Sequence, residues 1–317
     1  MELIQMSINT IVQNQIIKKS GIIEQMKLFI NVQTTATTKE NYKITLRKFY
    51  NYLNENNIKE IPLTEQFITK LIKQYKAYLI NNCQLASTSI NTYILSVQSF
   101  FSFLGIKTHI NKLDNKAKTK EYKYLTLHEI NLLIETIPEQ TNKKELQLRN
   151  KAIILLMFGS GLRVNELINL KRNDYILKNN IYYISIIGKG KAKDNKELIP
   201  IAPETSQAIN NYLEIKKHKD NKYLFSNIRN QKLTRQGINK TLKQIAIITD
   251  KKHDLNITPR CSSHALRHGL ARHLLINKQM PINQVKDILR HEKLETTIKY
   301  LTNSEKEINE IRMNIFN

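Results

Sequence analysis

Residues 150–170 read NKAIILLMFGSGLRVNELINL. The stretch opens as an apolar helix whose densest part, AIILLMF (152–158), falls far short of the ~18 residues that suggest a membrane span. Gly159 and Gly161 break the helix, and a second one starts at once. Arg163 falls in the first turn of that second helix. Glu166 stands one turn on, spaced to pair with Arg163 or to orient it. By itself this is an ordinary corner between two helices with a surface ion pair. The rest of the chain decides whether it is more.

Downstream, IYYISII (181–187) and ELIPI (197–201) have the composition of short strands, joined by the basic turn GKGKAKDNK. From about residue 203 the patterns are helical again, down to SEKEINEIRMNIF (304–316), which Ser304 and Glu307 open as a capping box. Upstream, TLHEINLLIETI (126–137) begins with a capping box of Thr126 and Glu129. Three helices are predicted further back: 37–57, with a Thr37–Glu40 box; 64–80, opened by Thr64; and 87–105, ended by Gly105. Between these groups lies NKLDNKAKTKEYKYL (111–125), lysine-rich and poor in apolar residues until its end, which reads as a linker. The expectation is a mainly α protein with a small antiparallel β-sheet, of the α+β class. It divides into a helical N-terminal domain over 1–110, a basic linker over 111–124 and a second domain over 125–317. No internal repeat is evident.

Composition narrows the function. The 317 residues carry 50 Lys+Arg against 27 Asp+Glu, a formal charge of +23. Such an excess fits a polyanionic partner, above all nucleic acid, because each neutralised phosphate releases a counterion. Codon bias toward Lys, Asn and Ile is the blander source of the same charge. Cys83 and Cys261 are too few and too far apart for a disulfide framework, and no Cys/His grouping has zinc-site spacing, so no metal is expected. The opening MELIQMSINTIVQNQ has neither a basic leader nor an unbroken apolar core. A cytoplasmic, nucleoid-associated protein without membrane contact is expected.

Three further stretches bear chemistry. In SSHALRHGLARHLLINK (262–278), His264 and Arg267 stand three apart on one helical face, while Leu266, Leu270 and Leu274 mark another. Lys189 sits between two glycines at the tip of the predicted hairpin. ILRHEKLETTIKYL (288–301) holds His291 and Tyr300. Two arginines, two histidines, a lysine and a tyrosine suit phosphoryl transfer without metal or other cofactor. An arginine fork holds two nonbridging oxygens of a phosphodiester. A phenol can attack phosphorus and form a covalent ester, and a lysine or histidine can protonate the departing oxygen.

In the order GLRVNEL, IIGKGKAKDNKELIPI, HALRHGLARHLL and ILRHEKLETTIKYL, the chain resembles the tyrosine recombinase (phage integrase) family, especially its Xer-like members. YLFSNIRNQKLTRQGINKTLKQIA (223–246) is similar to a further family segment, and STSINTYILSVQSFFSFLG (87–105) to the end of the family's core-binding domain. The resemblance implies a SAM-like helical core-binding domain followed by a catalytic domain. It implies site-specific cutting and rejoining of DNA through a 3′-phosphotyrosyl link, in integration or excision or in dimer resolution. Arg163 and Arg267 would clamp the scissile phosphate. Lys189 would protonate the 5′ oxygen, His264 and His291 would assist proton transfer, and Tyr300 would be the nucleophile. The partner would be double-stranded DNA carrying a specific recombination site, bound by a homotetramer or heterotetramer.

Arg235 and Lys240, on a helix predicted over 235–246, are candidate DNA contacts; that helix either reads bases in the major groove or is structural. The C-terminal residues 305–317 pack either on a neighbouring protomer or on their own domain. The family usually has glycine just before its second histidine, where this chain has Arg290. If that position needs positive φ, arginine strains it; alternatively Arg290 is one more phosphate contact. Two other readings use the same residues: a catalytically silent DNA-binding accessory protein, and a type IB topoisomerase.

Overall fold

The computed structural model describes residues 16–111, 113, 123–187, 196–216 and 221–298, which fall into two units, one within Met1–Lys118 and one within Thr119–Asn317. The predicted linker lies mostly outside the described residues.

Among the described residues the first unit holds four helices: α1 (Lys19–Asn31), α2 (Ala36–Glu55), α3 (Glu65–Asn81) and α4 (Ser87–Phe103). Their apolar faces meet in an aromatic core. The Phe49 ring stands edge-on to Tyr75 at 5.0 Å and to Phe101 at 6.0 Å, both favourable quadrupole geometries. Thr64 caps α3 as its sequence predicts, accepting from the Phe67 N–H. Helix α2, however, is opened by Thr35, whose hydroxyl accepts from Thr38 N at 3.1 Å, not by the Thr37–Glu40 box. In a run of threonines several registers offer a cap, and side-chain spacing alone does not choose between them. A two-stranded ribbon, β1 (Ile16–Lys18) with β2 (Glu60–Pro62), pairs buried Ile17 with buried Ile61. Three-residue strands are too short to show alternation in a sequence.

The second unit is built around α7 (Lys144–Ser160), in which every residue from Ala152 to Phe158 is buried. A helix apolar on all sides belongs at the centre of its domain. Before it come α5 (Leu127–Glu135), with both halves of the Thr126–Glu129 capping box formed, and the short α6 (Ile137–Gln140). After it come α8 (Val164–Asn169) and an antiparallel sheet in the order β3 (Tyr175–Lys178), β4 (Ile181–Ile187), β5 (Lys196–Pro200). Helices α9 (Pro203–Ile215), α10 (Arg235–His253), α11 (Ser263–Arg272), α12 (Ile282–Ile288) and α13 (Leu294–Ile298) complete the described part. The mainly α, α+β expectation holds. Strand β3 was not legible, and it stacks Tyr175 on Tyr182 with ring centroids 4.7 Å apart.

Two glycines allow the close approaches on which the cluster of basic residues depends. Helix α7 runs through Gly159 and ends at Gly161 alone, whose φ of +56° places it in the left-handed region. A Cβ there would also lie 2.9 Å from Leu289 Cδ2 and 3.0 Å from Leu270 Cδ2, so both the left-handed backbone and the close leucine methyls favour glycine. At Gly269 a Cβ would overlap the Leu125 carbonyl oxygen. That close approach lays residues 123–125 along α11, where the Lys123 carbonyl meets His268 Nδ1 at 3.1 Å and the Tyr124 ring lies 4.6 Å from the Arg272 guanidinium.

Candidate active site

Arg163 is the residue just before α8, not part of its first turn, with extended φ/ψ of −71° and 147°. Glu166 reaches back to it twice. Its Oε2 accepts from the Arg163 backbone N–H at 2.7 Å, and its Oε1 accepts from Arg163 Nη1 at 2.9 Å. The carboxylate side chain is only 8% exposed against 29% for Arg163, so a buried acid aims a partly exposed guanidinium. Arg163 Nη2 donates to the Arg290 carbonyl at 3.1 Å.

Arg267, from α11, is buried rather than displayed on a solvated helix face. Its Nη1 donates to the Gly161 carbonyl and its Nη2 to the Leu289 carbonyl. These are the residue that ends α7 and the one that ends α12, so a single guanidinium ties three elements together. A charge this deeply buried is tolerable only when hydrogen-bonded on several sides.

His291 comes just after α12 and is buried, with Nδ1 2.8 Å from the buried Thr297 hydroxyl, which fixes the ring's orientation. Burial pushes its pKa down to about 4, with help from Arg267, Arg163, His268 and Arg290. His264, on the exposed side of α11, is also held below the usual histidine range, first by burial and then by Arg235, Arg267 and Arg163. His268 is pushed down to about 4, mainly by burial. Its ring lies 6.2 Å from that of His264, and sequence spacing gave no sign that it belongs here. At neutral pH the site therefore combines neutral imidazoles with three guanidiniums, from Arg163, Arg267 and Arg290, two of which pair with the Glu166 carboxylate. It is built for an anion.

Arg290 occupies a position that explains the family's glycine. Its φ is +56°, and the bonds Arg290 N to Asp287 O at 2.9 Å and His291 N to Lys286 O at 3.0 Å are those of a Schellman cap closing α12. Arginine in that left-handed slot costs on the order of 1–2 kcal/mol relative to glycine. Its guanidinium turns inward. Arg235 and Lys240 are both exposed on α10; Arg235 is near enough to depress His264, and Lys240 lies farther along the helix.

An open cleft runs beside the site, lined by Arg163, Glu166, Lys171, Ser185, Lys196 and Tyr223. It connects Arg163 to the end of the sheet where Ile187 pairs with Lys196. Lys189 and Tyr300 lie outside the described residues, as does the Ser304–Glu307 box. Among the described residues no group of three or more His, Cys, Asp or Glu could hold a metal ion, and no helix is long and apolar enough to cross a membrane.

Comparison with known proteins assigns this fold and its arginine–histidine cluster to a family. Residues 123–307 match the phage integrase family. Tyrosine recombinase XerC of Staphylococcus epidermidis is 30% identical over 287 residues, covering 87% of this chain and 90% of that protein. Among solved structures, XerH site-specific recombinase bound to palindromic difH substrate superposes with a TM-score of 0.63 at 21% identity, covering 86% of this chain and 78% of that one. The Tn1549 transposon integrase in complex with transposon right end DNA gives a TM-score of 0.67 at 16% identity, covering 92% and 98%. The chain belongs to the phage integrase family, as a Xer-like tyrosine recombinase, an enzyme of site-specific DNA recombination.

Proposed function

We propose that the chain recognises a specific site in duplex DNA and exchanges strands there through a 3′-phosphotyrosyl intermediate. The Tyr300 phenol oxygen attacks the scissile phosphorus. A new O–P bond forms, the bond to the 5′ oxygen breaks, and Lys189 gives that oxygen its proton. A neutral imidazole, His264 or His291, takes the phenol proton, which an imidazolium could not do. Arg163 and Arg267 offset the charge that builds on the nonbridging oxygens. Because the phosphotyrosyl ester conserves the energy of the diester, a 5′ hydroxyl from another strand reverses the step without ATP.

The observation that carries this reading is the convergence of Arg163 and Arg267, 104 residues apart in the sequence, on the turns around Gly161 and Leu289–Arg290, beside His291. The catalytic assembly would be four protomers on two DNA sites, homomeric or with a second recombinase, working on the cytoplasmic nucleoid.

Nicked suicide DNA bearing the native site tests the chemistry. The wild-type protein should be trapped as a covalent adduct, with or without EDTA, and Tyr300→Phe should not. Binding without an adduct in either protein would support a silent accessory protein. Relaxation of supercoiled plasmid regardless of sequence would support a topoisomerase.

A further inference from the structure

We propose that Arg290, at the place where the family resemblance implies glycine, is a positioning residue that aims Arg163 at the scissile phosphate. The inference rests on the phosphate-binding role proposed for Arg163.

Arg290 touches Arg163 by two routes. Its main-chain carbonyl accepts from Arg163 Nη2 at 3.1 Å. Its Nη2 lies 3.3 Å from Glu166 Oε2, on the carboxylate whose other oxygen holds Arg163 Nη1. The guanidinium also donates to the carbonyls of Ser160 at 3.3 Å and Gly161 at 3.4 Å, at the end of α7, and to that of Ile288 at 3.2 Å. Its side chain is 10% exposed, and its hydrogen bonds run to Glu166 and to backbone carbonyls at helix ends. It braces the Ser160–Gly161 turn and Glu166 from behind, and both features set where Arg163 points. A glycine in the same slot would keep the Schellman cap and the carbonyl but lose every one of the side-chain bonds. The left-handed backbone is thus retained at a cost that the side chain offsets.

The test uses the full-length protein on nicked suicide DNA, reading single-turnover adduct formation, DNA affinity and thermal unfolding for Arg290→Gly, Arg290→Lys, Arg163→Lys and the double variant Arg163→Lys/Arg290→Gly. Arg290→Gly relieves the backbone, so a purely structural role predicts equal or higher stability and unchanged chemistry. Positioning predicts affinity within threefold of wild type and adduct formation slowed tenfold or more. Arg290→Lys, which keeps the charge and loses the fork, should recover only part of that rate. In the Arg163→Lys background, where the aimed fork is gone, Arg290→Gly should cost less than threefold.

Adduct formation by Arg290→Gly within threefold of wild type would overturn the proposal, as would an equal loss in both backgrounds. Should Arg290→Gly fold poorly, Arg290→Lys carries the test: a wild-type rate there is equally fatal. An undiminished rate in Arg163→Lys alone would instead refute the role given to Arg163, which separates the two failures.

Discussion

Arg163 Nη2 donates to the main-chain carbonyl of Arg290 across 127 residues of sequence. That hydrogen bond joins the start of α8 to the cap of α12, and Arg267 ties the same two turns together through the Gly161 and Leu289 carbonyls. The guanidiniums are therefore set in place by backbone oxygens at helix ends before any substrate arrives. Such preorganisation lets donors act on a developing charge without reorganising at the moment of reaction.

Glu166→Gln keeps the shape of the side chain and removes the charge that both Arg163 and Arg290 use. Stability should fall by about 1–3 kcal/mol, as for a buried charged group left short of its partner. Adduct formation should slow by roughly tenfold, less than the ~10²–10³-fold typical of removing a direct donor to the transition state. Denaturant unfolding and single-turnover kinetics check both.

Acid should destabilise the protein before its carboxylates titrate. His268 and His291 have folded pKa values pushed down to about 4 from an ordinary 6.5. Between those values the unfolded chain binds the protons and the folded chain does not, so stability is full above the unfolded pKa and declines as pH falls toward 4. The melting temperature should drop between pH 7 and pH 5, and His291→Gln should flatten the drop. A phosphate bound beside His291 would raise its pKa again, so DNA binding below pH 6.5 should take up protons, measurable as a buffer-dependent heat.

Gly269→Ala sets a methyl group against a backbone oxygen that no rotamer change can move. A loss of about 1–3 kcal/mol is expected, as for other overpacked interiors. The same variant should loosen residues 123–125 from α11, seen as faster amide exchange at Leu125. Gly159→Ala, at a helical position whose nearest contact is Thr205 Oγ1 at 3.6 Å, should be neutral or mildly stabilising.

With 50 Lys+Arg in the chain, affinity for DNA should fall steeply with salt. Six or more phosphate contacts imply a loss of roughly a thousandfold or more between 50 and 200 mM. Arg235→Ala should reduce that slope by about one contact if Arg235 meets a phosphate, and should leave the slope unchanged but relax sequence preference if it meets a base.

Local spacing made part of the fold and site legible in the sequence. Thr126 with Glu129, and Arg163 with Glu166, lie three apart, and both pairs form. The strands predicted at 181–187 and 197–201 stand out because their apolar, β-branched content is bounded by a glycine- and lysine-rich turn; the second forms one residue earlier, over Lys196–Pro200. The remainder depends on contacts between distant segments. Spacing shows only that Arg267 shares a helical face with His264, while its burial comes from the ends of α7 and α12. Gly159 looked like a breaker and is not one, because a helix interior tolerates a single glycine at about 1 kcal/mol. His268 carries no signature of its own, and its pKa is depressed mainly by burial, with the Lys123 carbonyl contact pulling the other way. The positive φ at Arg290 was raised by resemblance alone; its reason, a Schellman cap, emerges only from the hydrogen bonds around Leu289.

The most direct test of the central claim is mass spectrometry of the trapped protein–DNA adduct after digestion with trypsin and nuclease. A nucleotide is expected on the phenol of Tyr300, joined through its 3′ phosphate and absent when Arg163 or Arg267 is replaced by alanine. A nucleotide on any other residue, or a 5′ linkage, would contradict it.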